Sequence, residues 1–264
     1  MDALVINLER SADRMAFQAS QLEQLGIPCQ RVAAIDTSML DVDTYQAKAY
    51  DWERPLRDTE VACCLSHTKA WQIVLESNHP HLVLEDDALL CSKTGTLLQA
   101  LESYHNYDCV NLETRGRRKT VSKKKTPLIE DFKISKLVQD KSGAAAYILW
   151  PDGAKKLLHW VETHGLGLAD AILALGPSLR HGQVEPAAAL QLDCCHLYDI
   201  ECPLETQTHI HHIDKPVASN ALLFRWRRLR AQLKIALRKV RACASAESKE
   251  ILPSKASFLL NDES

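Results

Sequence analysis

No stretch of this 264-residue sequence approaches the ~20 consecutive apolar residues that a membrane-spanning helix requires. Its first residues, MDALVINLERSADR, lack a cationic lead followed by a long apolar core, so no secretory leader is expected. None of the nine cysteines has the C-x-x-C spacing of a zinc or redox site; Cys63-Cys64 and Cys194-Cys195 are adjacent pairs. An odd cysteine count without an export leader points to reduced thiols in the cytosol, most of them small core residues. Internal repeats are absent. What remains, 46 % hydrophobic and 25 % charged, is the composition of an ordinary globular chain with one large domain and at most a short appendage.

Acid is missing from one segment. Residues 222–244, LLFRWRRLRAQLKIALRKVRACA, hold eight Arg or Lys and no Asp or Glu. The net charge of −2 therefore conceals a body near −10, with 24 basic against 34 acidic residues, which excludes broad nucleic-acid binding. Leu222, Trp226, Leu229, Leu233, Leu237 and Val240 recur at helical spacing and draw one apolar stripe. A basic amphipathic helix of this kind suits an anionic membrane surface, met through residues 222–241. Packing back onto the acidic body is the other reading. The division expected is a domain over 1–216, the basic helix over 217–244 and a disordered polar tail over 245–264.

Leu4 to Leu8 reads as a buried strand, followed by a helical pattern through Met15, Phe17, Leu22 and Leu25 that stops at Gly26 and Pro28. A second strand covers residues 30–35 and ends at Asp36. Strand, helix, strand in about 35 residues is the rhythm of a parallel α/β sheet. Residues 60–75 form a helix with Val61, Cys64, Leu65, Trp71 and Val74 on one stripe, and 81–84 a third strand. Further helices are expected over 97–104 and 152–164, and strands over 108–112, 144–150 and 184–192. The run RGRRKTVSKKK (115–125), seven basic residues in eleven, reads as a solvated loop, or as a contact for an anionic ligand such as a pyrophosphate or a phosphorylated saccharide.

The stretch LVLEDDALL (82–90) sets three carboxylates inside an apolar run. Glu85, Asp86 and Asp87 would repel one another in a dry interior but are tolerable at a strand end around a divalent cation. Hard oxygen ligands suit Mg²⁺ or Mn²⁺, and a metal held by one or two carboxylates keeps positions open for phosphate oxygens. In open α/β sheets ligands bind beyond the carboxyl ends of the strands, where Asn7, Arg10 and Asp36 also gather. A solvated turn, with Asp86 or Asp87 capping a following helix, accounts for the same spacing.

Four segments in order, VINLERSADR (5–14), EVACCLSHTKAW (60–71), VLEDDALL (83–90) and GAAAYILWPDGAKKLL (143–158), resemble the family 25 glycosyltransferases. That family includes bacterial lipooligosaccharide galactosyltransferases and collagen galactosyltransferases. Asp170 stands where it places a later acidic residue, VEPAAALQ (184–191) resembles its closing strand, and the likeness covers residues 4–192. The Gly that the family commonly has between the Glu and Cys of the second segment is missing from Glu60-Val61-Ala62-Cys63.

The resemblance implies a GT-A-like α/β domain with a mostly parallel central sheet flanked by helices. It also implies inverting transfer of a hexose, typically galactose from UDP-galactose, with Mn²⁺ or Mg²⁺. Asp87 would ligate the metal, with Glu85 or Asp86 holding the metal or the ribose. Asn7, Arg10, Arg14 and Asp36 would line the nucleotide pocket, with Ser66, His67 and Trp71 facing the same cleft. Asp170, an isolated carboxylate among Leu168, Ala169, Ala171 and Ile172, would be the base, unless it caps the helix running to Leu175; Glu185 is held in reserve. His67 is equally readable as a buried structural histidine. His211, with His209 and His212, would return to the metal or lie in an exposed linker.

The expected function is transfer from a UDP-sugar to a lipid-linked, lipopolysaccharide-type oligosaccharide at the inner face of the cytoplasmic membrane. The alternatives are a metal-dependent phosphohydrolase using the same acidic strand end, for which the extra His and Asp clusters of a two-metal centre are lacking, and a non-catalytic membrane-binding relative.

Overall fold

The computed structural model describes residues 1–140, 143–204, 221–242 and 244–258. From the amino terminus the chain runs β1 (Ala3–Asn7), α1 (Ala12–Gln24), β2 (Cys29–Ala33), α2 (Val42–Ala49), α3 (Asp58–Ser77) and β3 (His81–Glu85). There follow β4 (Ala88–Leu90), α4 (Thr94–Glu102), β5 (Cys109–Asn111), β6 (Glu113–Thr114), β7 (Arg118–Pro127), β8 (Lys133–Gln139) and β9 (Ala146–Leu149). The remaining elements are α5 (Pro151–His164), α6 (Ala169–Leu175), β10 (His181–Glu185), β11 (Ala189–Gln191), α7 (Ala221–Ala242) and β12 (Ala246–Glu250).

Strand β1 shows why the molecule is layered. Ala3 and Val5 join one apolar cluster and Leu4 and Ile6 another, and β3 repeats this with Leu82 and Leu84 against Val83. Successive strand side chains point to opposite faces, so a strand apolar at every position must be covered on both. Helices α1 and α4 cover one face through Leu22, Leu97 and Leu101. Helices α3, α5 and α6 cover the other through Val61, Trp71, Val74, Leu157 and Ile172. The missing glycine of the second segment has no structural trace, because α3 passes through it unbroken.

The large sheet has the order β12-β7-β8-β10-β5-β9-β3-β1-β2. Among its described strands three pairings are parallel and five antiparallel, so the mostly parallel sheet expected from the sequence is a mixed one. The β-α-β rhythm holds for β1, β2 and β3. It fails beyond them because β9 runs antiparallel between β3 and β5, and because β8, β7 and β12 continue the sheet as an antiparallel ribbon. A smaller sheet, β4-β11-β6, packs beside it.

Three further expectations are corrected. The strand over 184–192 is two strands: β10 ends at Glu185, Pro186 brings no N–H to a ladder, and β11 pairs in the smaller sheet. The basic run at 115–125 is largely strand β7, not a loop. Its charge is met by acids distant in sequence: Lys125 lies 3.0 Å from Glu185, which also binds Lys249 of β12. Residues 246–250, expected to lack order, form β12 on the edge of β7, and the next residue, Ile251, is buried against Val121 and Leu137.

Helix α7 docks through a face that the apolar stripe does not occupy. Phe224 is buried, and Arg227 donates to the carbonyls of Tyr50 at 2.7 Å and Trp52 at 2.9 Å. Leu222, Trp226, Leu229, Leu233, Leu237 and Val240 are all exposed, Trp226 by 64 %.

Lys119 of β7 turns inward and is 2 % exposed. Its ammonium donates to Asn111 Oδ1 at 3.1 Å, the Glu113 carbonyl at 2.9 Å and Gln183 Oε1 at 2.9 Å, and pairs with Asp140 at 2.8 Å. Beside it, burial pushes the Glu113 carboxyl up to about 8 against the pull of Lys119, with Glu85 and Asp140 adding to the rise. A folded-state value above the unfolded one gives stability that is present at low pH and lost as pH rises through about 8. Glu113→Gln should therefore match the parent chain near pH 4 and exceed its stability increasingly up to about pH 8, read from urea midpoints between pH 4 and pH 9. Parallel pH profiles for the two chains would contradict the assignment.

Candidate active site

The parallel strands β1, β2 and β3 end on one edge, and a cavity of about 230 Å³ opens there. Arg10, Arg14 and Asp36 stand on one wall, Cys63, Ser66 and His67 of α3 on another, and Glu85, Asp86 and Asp87 at the base. Asp86 and Asp87 form the turn by which the chain leaves β3 and enters β4. They therefore cap no helix, since α4 begins only at Thr94. Gln18 fixes the backbone of this turn, donating to the carbonyls of Asp86 at 3.1 Å and Ala88 at 2.7 Å.

The three carboxylates have three different environments. Glu85 accepts from His67 Nε2 at 3.1 Å and from Gln191 Nε2 at 3.1 Å. Burial would raise its carboxyl, but His67, Arg115 and Gln191 together hold it below the usual range. The ring orientation has a traceable cause. Trp71 Nε1, a donor only, gives its proton to Tyr147 Oη at 2.8 Å, and Tyr147 lies 2.9 Å from His67 Nδ1. An ionised Glu85 can only accept, so the ring proton that meets it belongs to Nε2, and a neutral ring then leaves Nδ1 to accept from the Tyr147 hydroxyl.

Asp86 accepts from Asn7 Nδ2 at 2.8 Å and from Arg14 Nη1 at 3.1 Å. Burial nonetheless lifts its carboxyl above the ordinary value, with the charge of Glu85 adding to the effect. Asp87 has no such support: its Oδ1 is buried without a hydrogen-bond partner. Burial, then Glu85 and Asp86, push its carboxyl up to about 7.

An unpaired buried carboxylate oxygen beside two further carboxylates is the chemistry of a hard-cation site, and the residues present fit Mg²⁺ or Mn²⁺. Among the described residues, Cys63, His67 and Glu85 also bring ligand atoms within 4.8 Å of one another. That softer set would need Nε2 of His67 to give up its proton and its bond to Glu85.

Arg115 pairs with Asp193 at 3.0 Å, and its charge reaches both Glu85 and Asp87. Asp170, in the first turn of α6, accepts from its neighbour's Ala171 N–H at 2.7 Å. Burial, with the charges of Glu85 and Asp140, raises its carboxyl above the ordinary range. Of the basic run, Arg115 and Arg117 act electrostatically on this side; Lys119 is buried and Lys125 is spent on Glu185.

Several site residues expected from the sequence have other work. Asn7 is buried, its carboxamide taken by Asp86, the Ser11 carbonyl and Arg31, so it positions Asp86 instead of meeting a nucleotide. Ser66 donates to the Ala62 carbonyl at 2.7 Å and accepts from the Ile35 N–H at 2.8 Å, tying the end of β2 to α3. Trp71 is wholly buried and does not reach the cleft. Glu185, the reserve base, is held below its ordinary range: burial would raise it, but Lys249 and Lys125 prevail. A carboxylate so paired is a poor base. His209, His211 and His212 lie outside the described residues. Tyr147, Gln191 and Glu113 escaped sequence reading because each looks like an ordinary strand residue.

Tyr147→Phe should leave Trp71 Nε1 and His67 Nδ1 without partners and cost roughly 1–3 kcal/mol of stability. Urea unfolding of the folded variant measures this, and an unchanged midpoint would contradict the relay.

The family model described as Glycosyltransferase family 25 (LPS biosynthesis protein) matches residues 1–172. A Haemophilus influenzae protein named "Putative glycosyltransferase" is 30 % identical over 115 residues, which are 43 % of this chain and 40 % of that protein. The chain thus spans well under half the length of that relative. Among solved structures, the inositol-1-phosphate CTP transferase from T. maritima aligns over 72 % of this chain and 70 % of its own at 10 % identity. Its TM-score of 0.35 is too low to carry an argument. With a family match that takes in the cleft, α3, the acidic turn and Asp170, this chain belongs to glycosyltransferase family 25.

Proposed function

We propose that this transferase moves a hexose, galactose, from UDP-galactose to a lipid-linked, lipopolysaccharide-type saccharide with inversion at the anomeric carbon. The observation that carries the reading is the unpaired Asp87 Oδ1 at the base of a cleft whose other wall holds two arginines. Glu85 and Asp86 already have both oxygens engaged, so Asp87 is the carboxylate left to hold Mn²⁺ or Mg²⁺. Such an ion supplies positive charge that offsets the charge developing on a departing pyrophosphate. Arg10 and Arg14 add fixed positive charge on the same side.

Asp170 serves as the base that takes the acceptor hydroxyl proton. A carboxyl raised by burial is a stronger base than one in water, and its place on α6 sets it apart from the arginine wall. The buried relay from Trp71 through Tyr147 and His67 keeps Glu85 ionised and in place. Asp87→Asn should fold normally and lose metal-dependent transfer by at least about 100-fold, with metal-enhanced UDP binding lost in calorimetry. Retained transfer would remove Asp87 from the metal role. Failure of the parent chain to bind UDP with or without Mn²⁺ would remove the transferase reading itself.

The acceptor would be met at a membrane surface on the cytoplasmic side. No helix among the described residues is long and apolar enough to cross a membrane. The exposed stripe of α7, flanked by exposed Arg225, Arg228 and Arg230, instead has the apolar face and cationic border that an anionic bilayer recognises. Each such arginine contributes on the order of 1 kcal/mol near that surface. Replacing Trp226 and Leu229 together with Glu should abolish co-sedimentation with phosphatidylglycerol vesicles and leave UDP binding intact. Undiminished sedimentation would exclude the stripe as the contact.

A further inference from the structure

A second cavity, also of about 230 Å³, lies where helix α7 meets the body of the protein, and it shares no lining residue with the acidic cleft. Part of its lining is aromatic. Trp52, from the loop after α2, meets Trp160 of α5 edge-on with ring centroids 5.9 Å apart, and Trp160 stacks on His164 at 4.9 Å. Gly167 makes room for the Trp52 indole, since a side-chain carbon there would come within 2.4 Å of the ring. Arg227, Arg230 and Ala231 of α7 and Leu175 of α6 supply most of the rest. Glu53 is the single carboxylate on the lining and is itself engaged, so two guanidinium groups face one acid. Arg227 ties α7 to the Tyr50 and Trp52 carbonyls, which fixes the spacing between the helix and the indoles. The small side chain of Ala231 leaves that gap open.

The lining of this cavity and the exposed apolar stripe of α7 meet at Arg230. It follows Trp226 by four residues and precedes Leu233 by three, which sets it on the border of the stripe, and it follows Arg227 by three on the cavity side. Arg230 is exposed and has no hydrogen bond or ion pair among the described residues. Sites that enclose drug-sized ligands occupy roughly 300–1,000 Å³, so this smaller space admits one compact group and excludes an oligosaccharide. Inorganic phosphate would engage the arginines and leave the indoles and Leu175 unmatched. A phosphoglycerol group uses both: its phosphate accepts from the arginines, its carbons lie on the aromatic surface, and attached acyl chains run onto Trp226, Leu229 and Leu233.

We infer that this cavity binds the headgroup of one anionic phospholipid of the phosphatidylglycerol class, with Arg230 on its phosphate and the acyl chains along the stripe. The assignment rests on the membrane reading of α7 and adds to it a discrete site. The stripe alone would accept any anionic surface, whereas the cavity selects the lipid.

The test uses the full chain and dihexanoyl-phosphatidylglycerol below its micellar concentration, so that no bilayer surface is present. Calorimetry should give a single site, with dihexanoyl-phosphatidylcholine and inorganic phosphate each at least about tenfold weaker. Ala231→Trp fills the cavity without altering charge or stripe and should abolish binding. Arg230→Gln, at an exposed position, keeps the test decisive if the first variant folds poorly, and should weaken binding at least about tenfold. Lys155→Gln removes an equal charge from an exposed position outside the cavity and should have no effect. Equal weakening by Arg230→Gln and Lys155→Gln, undiminished binding by folded Ala231→Trp, or no binding by the parent chain would each overturn the inference. Phosphate or phosphatidylcholine bound as tightly as phosphatidylglycerol would overturn it as well. Co-sedimentation with phosphatidylglycerol vesicles decides the membrane reading separately: its absence, with the short-chain lipid still bound, would remove the surface contact and keep the cavity.

Discussion

Asn7, Arg14, His67 and Gln191 give their hydrogen bonds to Asp86 and Glu85, and the cleft takes its character from their leaving out Asp87. Three adjacent carboxylates at one strand end would otherwise repel one another with little water to screen them. The four partners come from β1, α1, α3 and the end of β11. The same bonds that contain the repulsion thus pin both sheets and both helical layers to one point. Stability and chemistry are not separable here. The turn that houses the unpaired oxygen is also where the chain crosses from the large sheet to the small one.

The left half of the sheet was legible because its signals are local. β1 and β3 carry unbroken apolar runs, Ala3 to Ile6 and Leu82 to Leu84, α3 has an uninterrupted stripe, and α1 stops beside Gly26, whose φ of 66° suits a residue without a side chain. The right half was not legible, and the reason is charge. A run such as RGRRKTVSKKK reads as solvated unless its counter-charges are known, and those come from Glu185 and β12, far along the chain. β12 itself, AESKE, has no apolar pattern; it is held by its ladder to β7, which no local window can reveal. Pro186 marked the division of the last strand, yet a continuous apolar stretch concealed it.

At the site, residue types were easier to read than directions. Arg10, Asp36, the acidic triplet and Asp170 are polar groups in apolar settings, and all of them border the cleft or act on it electrically. His67 and Trp71 are one turn apart on α3, so one face carries both, but their common partner Tyr147 fixes that face toward the sheet. The basic composition of 115–125 likewise hid a division of labour. One lysine became an interior counter-ion, one a rung between strands, and two arginines act by charge on Glu85 and Asp170.

Helix α7 is fastened near both ends. Phe224 and Arg227 seat its first turns on the loop after α2, and β12, a few residues past its last turn, is stitched into the sheet. A peptide tethered at one end could swing; this one is a keel built into the hull. Any surface that met its outward stripe would therefore meet a helix held to the body at two points.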